Sequence, residues 1–105
     1  MAEWIEVAKT SDFQLTDRKL VDLGGHQQIG LFKVGSDFYA VSAWCSHQKT
    51  TIITGDIEAC EIECPLHGAR FDLKTGRHLC LPAVKPIASY PVKVEGDVIY
   101  LKADR

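Results

Sequence analysis

The sequence has little that would suit a membrane, an export pathway or a nucleic acid. Its longest apolar runs are a few residues, far short of the roughly 20 that a membrane-spanning helix needs. The first residues carry neither the basic nor the apolar region of a signal peptide. Twelve Lys and Arg stand against 14 Asp and Glu, a net charge of −2, so no basic field is present to hold nucleic acid. We therefore expect a cytoplasmic protein that binds neither membrane nor nucleic acid.

Helical periodicity is also missing from the 105 residues. No segment longer than a turn or two repeats its apolar residues at helical spacing, and Gly or Pro interrupts the chain about every ten residues, as in all-β domains. We expect an all-β fold, a small antiparallel β-sandwich or barrel, with residues 1–105 in one domain. Strands are predicted at 4–8, 19–23, 28–34, 38–41, 61–63, 70–73, 92–95 and 98–101, with a helical turn at 10–13 that Thr10 or Ser11 caps.

Two short Cys-His motifs interrupt this pattern. Cys45 and His47 form the first motif, and Cys64 and His67 form the second, which Gly68 follows. Two thiolates and two imidazoles can hold one tetrahedral zinc ion, or a two-iron cluster with two Cys on one iron and two His on the other. Each motif supplies one Cys and one His, an interleaved order that favours the two-iron cluster and leaves zinc as the alternative.

The spacing Cys-X-His, sixteen residues, Cys-X-X-His resembles the Rieske [2Fe-2S] motif. The resemblance extends over the whole chain, to the Rieske-type ferredoxins of bacterial aromatic-ring-hydroxylating dioxygenase systems. It implies one [2Fe-2S] cluster per chain, held by Cys45, His47, Cys64 and His67 in loops at about 44–50 and 63–69. Further matching residues are Phe38-Tyr39-Ala40, Phe71-Asp72, Thr75-Gly76, Pro82-Ala83, Pro86-Ile87 and Tyr90.

The resemblance also implies a function, and no catalytic residues. Such a chain is a monomeric one-electron carrier in aromatic hydrocarbon catabolism and is not itself an enzyme. It takes electrons from an NAD(P)H-dependent, flavin-containing ferredoxin reductase and passes them to a terminal oxygenase, with His47 and His67 at the exposed edge of the cluster. Two alternatives stay open: a zinc-stabilised binding module, and a small Rieske subunit of a reductase.

Four positions near the motifs predict a low reduction potential. High-potential Rieske proteins carry an extra Cys in each ligand loop, where this chain has Thr50 and Leu66, so the disulfide of those proteins cannot form. They also carry a hydroxyl after the loop-two Gly and a Tyr two residues later, where this chain has Ala69 and Phe71. We therefore expect a potential at the low end of the Rieske range, around −150 mV.

The remaining chemical groups have plainer interpretations. Cys60 and Cys80 are expected to be small packing residues rather than a disulfide or a second metal site. The segment 81–83, with Pro82, resembles the loop that covers the cluster in the family. An acidic run indicates a solvated strand face, with a docking patch for a basic partner as the alternative; its members are Asp56, Glu58, Glu61 and Glu63.

Overall fold

The computed structural model describes residues 2–24, 27–44, 51–65, 68–79 and 86–104. Within these ranges, no helix is long and apolar enough to cross a membrane. The chain forms a 3₁₀ helix at Thr10–Phe13 and strands β1 (Ala2–Lys9), β2 (Arg18–Asp22), β3 (Gln28–Val34), β4 (Asp37–Ser42), β5 (Ile57–Glu58), β6 (Glu61–Glu63), β7 (Arg70–Asp72), β8 (Ser89–Tyr90), β9 (Val92–Glu95) and β10 (Val98–Asp104). The all-β prediction is confirmed.

The strands form three antiparallel sheets. Their strand orders are β1-β10-β9, which we call the outer sheet, β2-β3-β4-β8, which we call the central sheet, and β5-β6-β7. Gly35 and Gly96 lie in the turns of the β3–β4 and β9–β10 hairpins with φ of +64° and +63°, a conformation that glycine adopts without steric cost. Both hairpins were expected from the sequence.

The central sheet is buried on both faces. Successive side chains of a strand point to opposite sides, and in this sheet each side packs against an apolar cluster. Ile29 and Leu31 of β3 face one apolar cluster, and Phe32 faces the other. We call the first the sheet-side core; it contains Ile5, Ala8, Phe13, Val21, Ile29, Leu31, Ala40, Ile99, Leu101 and Ala103. We call the second the loop-side core; it contains Phe32, Val41, Ile52, Ile62, Cys64, Ala69, Phe71, Leu73 and Ile87.

Among the predicted details that differ from the structure, two have a clear physical cause. Neither Thr10 nor Ser11 caps the 3₁₀ helix. Lys9 is the residue before it, and its N–H donates to the Asp12 carboxylate at 3.0 Å. A carboxylate in the first turn satisfies that donor and also suits the positive end of the helix. Strand β7 ends at Asp72 rather than at residue 73, because the Asp72 carboxylate accepts the Lys74 N–H at 2.8 Å and turns the chain there.

Candidate metal centre

The second Cys-His motif lies in a tight loop between β6 and β7. The Cys64 N–H donates to the Ala69 carbonyl at 2.6 Å, and the Gly68 N–H donates to the Cys64 carbonyl at 3.1 Å. Gly68 has a φ of +74°, which an L side chain rarely adopts. The Cys64 side chain is 2% exposed in the loop-side core. Backbone hydrogen bonds therefore close the base of this loop.

The first motif begins where β4 ends. Trp44 forms an antiparallel bridge with Thr51, and the Ile52 N–H donates to the Ala43 carbonyl at 2.8 Å. These contacts close the segment 45–50 at its base. Ile52 is fully buried in the loop-side core, so the residues that follow loop one pack in the same cluster as Cys64.

The Arg18 side chain joins the central sheet to the stretch that follows loop one. Its guanidinium donates to the Ile53 carbonyl at 2.9 Å and to the Gly55 carbonyl. It also lies 5.7 Å from the centroid of the Phe32 ring, and Asp17 accepts its Nε–H at 2.8 Å. Because Arg18 is about 35 positions from these carbonyls, no sequence motif points to this contact.

Three of the four predicted ligands, Cys45, His47 and His67, lie outside the described residues, as do Thr50, Leu66, Cys80 and Pro82. Within the described ranges, no group of three or more His, Cys, Asp or Glu side chains could hold a metal ion. The residues that are described suit an iron–sulfur cluster. A buried thiol at the base of a closed loop, in an apolar environment, is a site where a thiolate ligand is shielded from water.

Ala69 and Phe71 border Cys64. Both are fully buried in the loop-side core. Ala69 accepts the Cys64 N–H, and Phe71 pairs with Ile62, two residues before Cys64. Side chains two residues apart on a strand share a face, so Phe71 and Cys64 lie on the same side of the β5-β6-β7 sheet. No hydroxyl is present at either position.

Charged side chains cover the opposite face of that sheet. Arg70 donates from Nε to Glu61 at 3.1 Å and from Nη1 to Glu63 at 3.3 Å. The hydrogen bond to Glu61 raises the pKa of Arg70 above its usual value. Two members of the acidic run are therefore paired with a cation that the sequence interpretation missed. The pairing of β6 with β7, which places Arg70 opposite Glu63, is the feature that would have indicated this ion pair.

Cys60 lies in the turn between β5 and β6. Ala59 and Cys60 have φ of +53° and +61°, as in the two-residue hairpin turns that asparagine and glycine favour. Cys60 packs partly buried against the loop-side core, as expected of a packing residue. Burial raises the pKa of its thiol above the ordinary value.

Comparison with known proteins places the chain among electron-transfer domains. A model of the Rieske [2Fe-2S] domain matches residues 3–91. The 3-phenylpropionate/cinnamic acid dioxygenase ferredoxin subunit of Escherichia coli (strain K12) is 50% identical over 74 residues, 70% of this chain and 70% of the relative. The ferredoxin of carbazole 1,9a-dioxygenase from Nocardioides aromaticivorans IC177 is 34% identical, with a TM-score of 0.85 over 93% of this chain and 95% of that chain. A complex of reduced oxygenase and oxidised ferredoxin in carbazole 1,9a-dioxygenase matches at 30% identity and a TM-score of 0.86, over 93% of this chain and 91% of that chain.

Proposed function

Because the chain belongs to the Rieske [2Fe-2S] domain family, we propose that it carries single electrons to a terminal ring-hydroxylating oxygenase. The resemblance drawn from the two Cys-His motifs is thereby confirmed. The [2Fe-2S] cluster of this family, when bound, supplies reversible one-electron chemistry. The relatives named above are ferredoxin components of aromatic dioxygenases. The chain is accordingly an electron-transfer component and not itself an enzyme.

The observation that carries the proposal is the closed second loop. It holds the buried Cys64 thiol in the same apolar cluster as the residue that follows loop one, Ile52. This supports a site in which both Cys-His motifs contribute ligands. We propose Cys45, His47, Cys64 and His67 as the four ligands, with the two thiolates on one iron and the two imidazoles on the other.

The ligand assignment is tested by metal content and spectroscopy. The purified protein should hold about two irons and two sulfides per chain and give a Rieske-type EPR signal after reduction with dithionite. His47→Cys or His67→Cys should lower the potential or lose the cluster, because a thiolate adds negative charge to the iron. The matched controls Cys60→Ser and Cys80→Ser should keep full iron content. Loss of iron in either control would contradict the assignment.

The proposed partners are a terminal oxygenase and a flavin-containing reductase that uses NAD(P)H. The solved complex of a related ferredoxin with its oxygenase supports the first partner; the second follows from the place of a carrier between a two-electron donor and a one-electron acceptor. Reconstitution tests both. Reduced nicotinamide, reductase and oxygenase should turn over an aromatic substrate only when the cluster-loaded chain is added. Turnover of equal rate without the chain would refute the carrier role.

Two alternatives lose support from the comparisons. The family match favours an iron–sulfur cluster over the single zinc ion, and the relatives are dioxygenase ferredoxins rather than reductase subunits.

We also propose that residues 1–105 form one Rieske domain. The family model ends at residue 91, but β10 pairs with β1 along nearly its whole length, which supports a shared fold. Limited proteolysis that releases β10 from an otherwise folded chain would contradict this.

A further inference from the structure

Glu63 lies beside the second ligand loop. It directly precedes Cys64, and its Oε1 atom is 3.9 Å from the position that a Cβ atom on Gly68 would occupy. Gly68 in turn follows the predicted ligand His67. The carboxylate therefore stands next to both ends of loop two, on the face of the sheet opposite the loop-side core.

Arg70 ties this carboxylate to a second one. Its guanidinium bonds Glu63 through Nη1 and Glu61 through Nε, and the three side chains are only 28–39% exposed. One cation between two carboxylates leaves this group, which we call the charge triad, with a net charge of −1. Glu61 pairs with Asp72 on the sheet, two residues farther from the loop than Glu63.

We propose that Glu63 and Arg70 tune the reduction potential of the cluster in opposite directions, with Glu63 lowering the potential and Arg70 raising it. The proposal rests on the proposed function, since it requires a cluster held at Cys64 and His67. An electron arriving at the cluster adds negative charge. A neighbouring carboxylate makes that addition less favourable, and a neighbouring guanidinium makes it more favourable. Both residues act on the cluster through space and are not ligands.

The size of the effect depends on how strongly solvent screens these charges. Partly exposed charges beside a ligand loop interact at an effective dielectric between those of a protein surface and of water. Removing one should change the equilibrium constant for reduction about three- to tenfold. For a one-electron couple this is a shift of about 30–60 mV. Salt should shrink the shift, because the Debye length falls to about 3 Å at 1 M.

Protein-film voltammetry of the cluster-loaded chain at pH 7 tests the proposal. Glu63→Gln should raise the midpoint potential, and Arg70→Gln should lower it. Glu61→Gln should raise it less than Glu63→Gln does, because Glu61 is farther from the loop. Glu95→Gln is the matched control: Glu95 belongs to an ion pair with Lys93 on the outer sheet, and its removal should shift the potential by less than a third of the Glu63→Gln shift.

Visible and EPR spectra recorded on each variant separate the outcomes. With intact spectra, equal shifts for Glu63→Gln and Glu95→Gln, or shifts of the same sign for Glu63→Gln and Arg70→Gln, would overturn the proposal. If Arg70→Gln does not fold, the rise in midpoint potential should decrease in the order Glu63→Gln, Glu61→Gln, Glu95→Gln. A different order of these rises would overturn the proposal. A wild-type chain that never shows a Rieske spectrum would instead refute the proposed function.

Discussion

Restoring two hydroxyl groups beside the ligand loop should raise the reduction potential. The double variant Ala69→Ser and Phe71→Tyr places a hydroxyl at each of two fully buried positions. The Ala69 carbonyl accepts the Cys64 N–H, and Phe71 shares a sheet face with Cys64, so both new groups would lie beside this proposed ligand. A donor aimed at a cluster sulfur or at the ligand thiolate stabilises the extra electron of the reduced state.

The magnitude follows from the strength of a charge-assisted hydrogen bond. Such a bond contributes roughly 1.5–3 kcal/mol. Only the part that differs between oxidised and reduced states changes the potential, so each hydroxyl should contribute less than that. About 59 mV corresponds to a tenfold change in equilibrium constant for a one-electron couple. The double variant should therefore rise by roughly 50–150 mV, and electron delivery to the oxygenase should slow as the driving force falls.

Voltammetry of the intact holoprotein measures this directly. Val21→Thr is the control, because it adds a hydroxyl to the sheet-side core rather than to the loop-side core that contains Cys64, and its potential should stay close to the wild-type value. A rise under about 20 mV in the double variant, a small part of one tenfold step, would refute the reasoning if the cluster is intact. A second readout checks the placement. A hydroxyl buried without a partner lowers the free energy of unfolding by about 1–3 kcal/mol, so a large loss of stability without a potential shift would show that the hydroxyls miss the cluster.

Three further predictions concern stability. Gly76→Ala should lower the free energy of unfolding by about 3 kcal/mol or more, because the new Cβ would overlap the Ile87 carbonyl oxygen and φ is +78°. The control Gly96→Ala has a φ of +63° and open space around it, so it should lose only about 1–2 kcal/mol in the same urea titration. Equal losses in the two variants would contradict the overlap. Ala59→Asn should gain about 0.5–1 kcal/mol, since asparagine tolerates the positive φ of the β5–β6 turn, and an unchanged urea midpoint would count against strain there. The hydrogen bond from the Lys9 N–H lowers the pKa of Asp12. The Asp12 carboxylate therefore stabilises the fold above its unfolded pKa of about 4, and this contribution is lost as pH falls through the lower folded pKa. The difference in unfolding free energy between wild type and Asp12→Asn should close in acid, and a difference unchanged down to pH 2 would contradict this prediction.

Much of the fold could be predicted because its longer strands carry a pattern. The β3–β4 and β9–β10 hairpins combine apolar runs with glycine turns at Gly35 and Gly96, and both are present. Strands β5 and β8 were not predicted. Each has two residues, too few for any period, and the turn at Ala59 and Cys60 contains neither glycine nor asparagine. Their positions depend on pairing with β6 and β4, which only the folded chain supplies.

The candidate site was predictable where a motif sits in one short segment and not where it depends on distant partners. The second Cys-His motif predicts Cys64 as a ligand, and the structure shows Cys64 buried in a closed loop between β6 and β7. Arg18 was not identifiable, because its carbonyl partners come from a stretch about 35 residues later. The acidic run was interpreted without a cation, although Arg70 reaches Glu63 across the hairpin. A short sequence segment indicates which residues can bind a metal. The pairing of strands in the folded chain determines which charged side chains form ion pairs.

The two cores on opposite faces of β3 and β4 allow stability and redox properties to evolve separately. Ile29 and Leu31 pack in the sheet-side core, whereas Phe32 packs in the loop-side core, which contains Cys64. Substitutions in the sheet-side core can change thermal tolerance while the surroundings of Cys64 stay the same. Substitutions in the loop-side core affect both traits. A lineage that moves to a warmer habitat can therefore gain stability through one face of a single sheet and keep the environment of Cys64 unchanged.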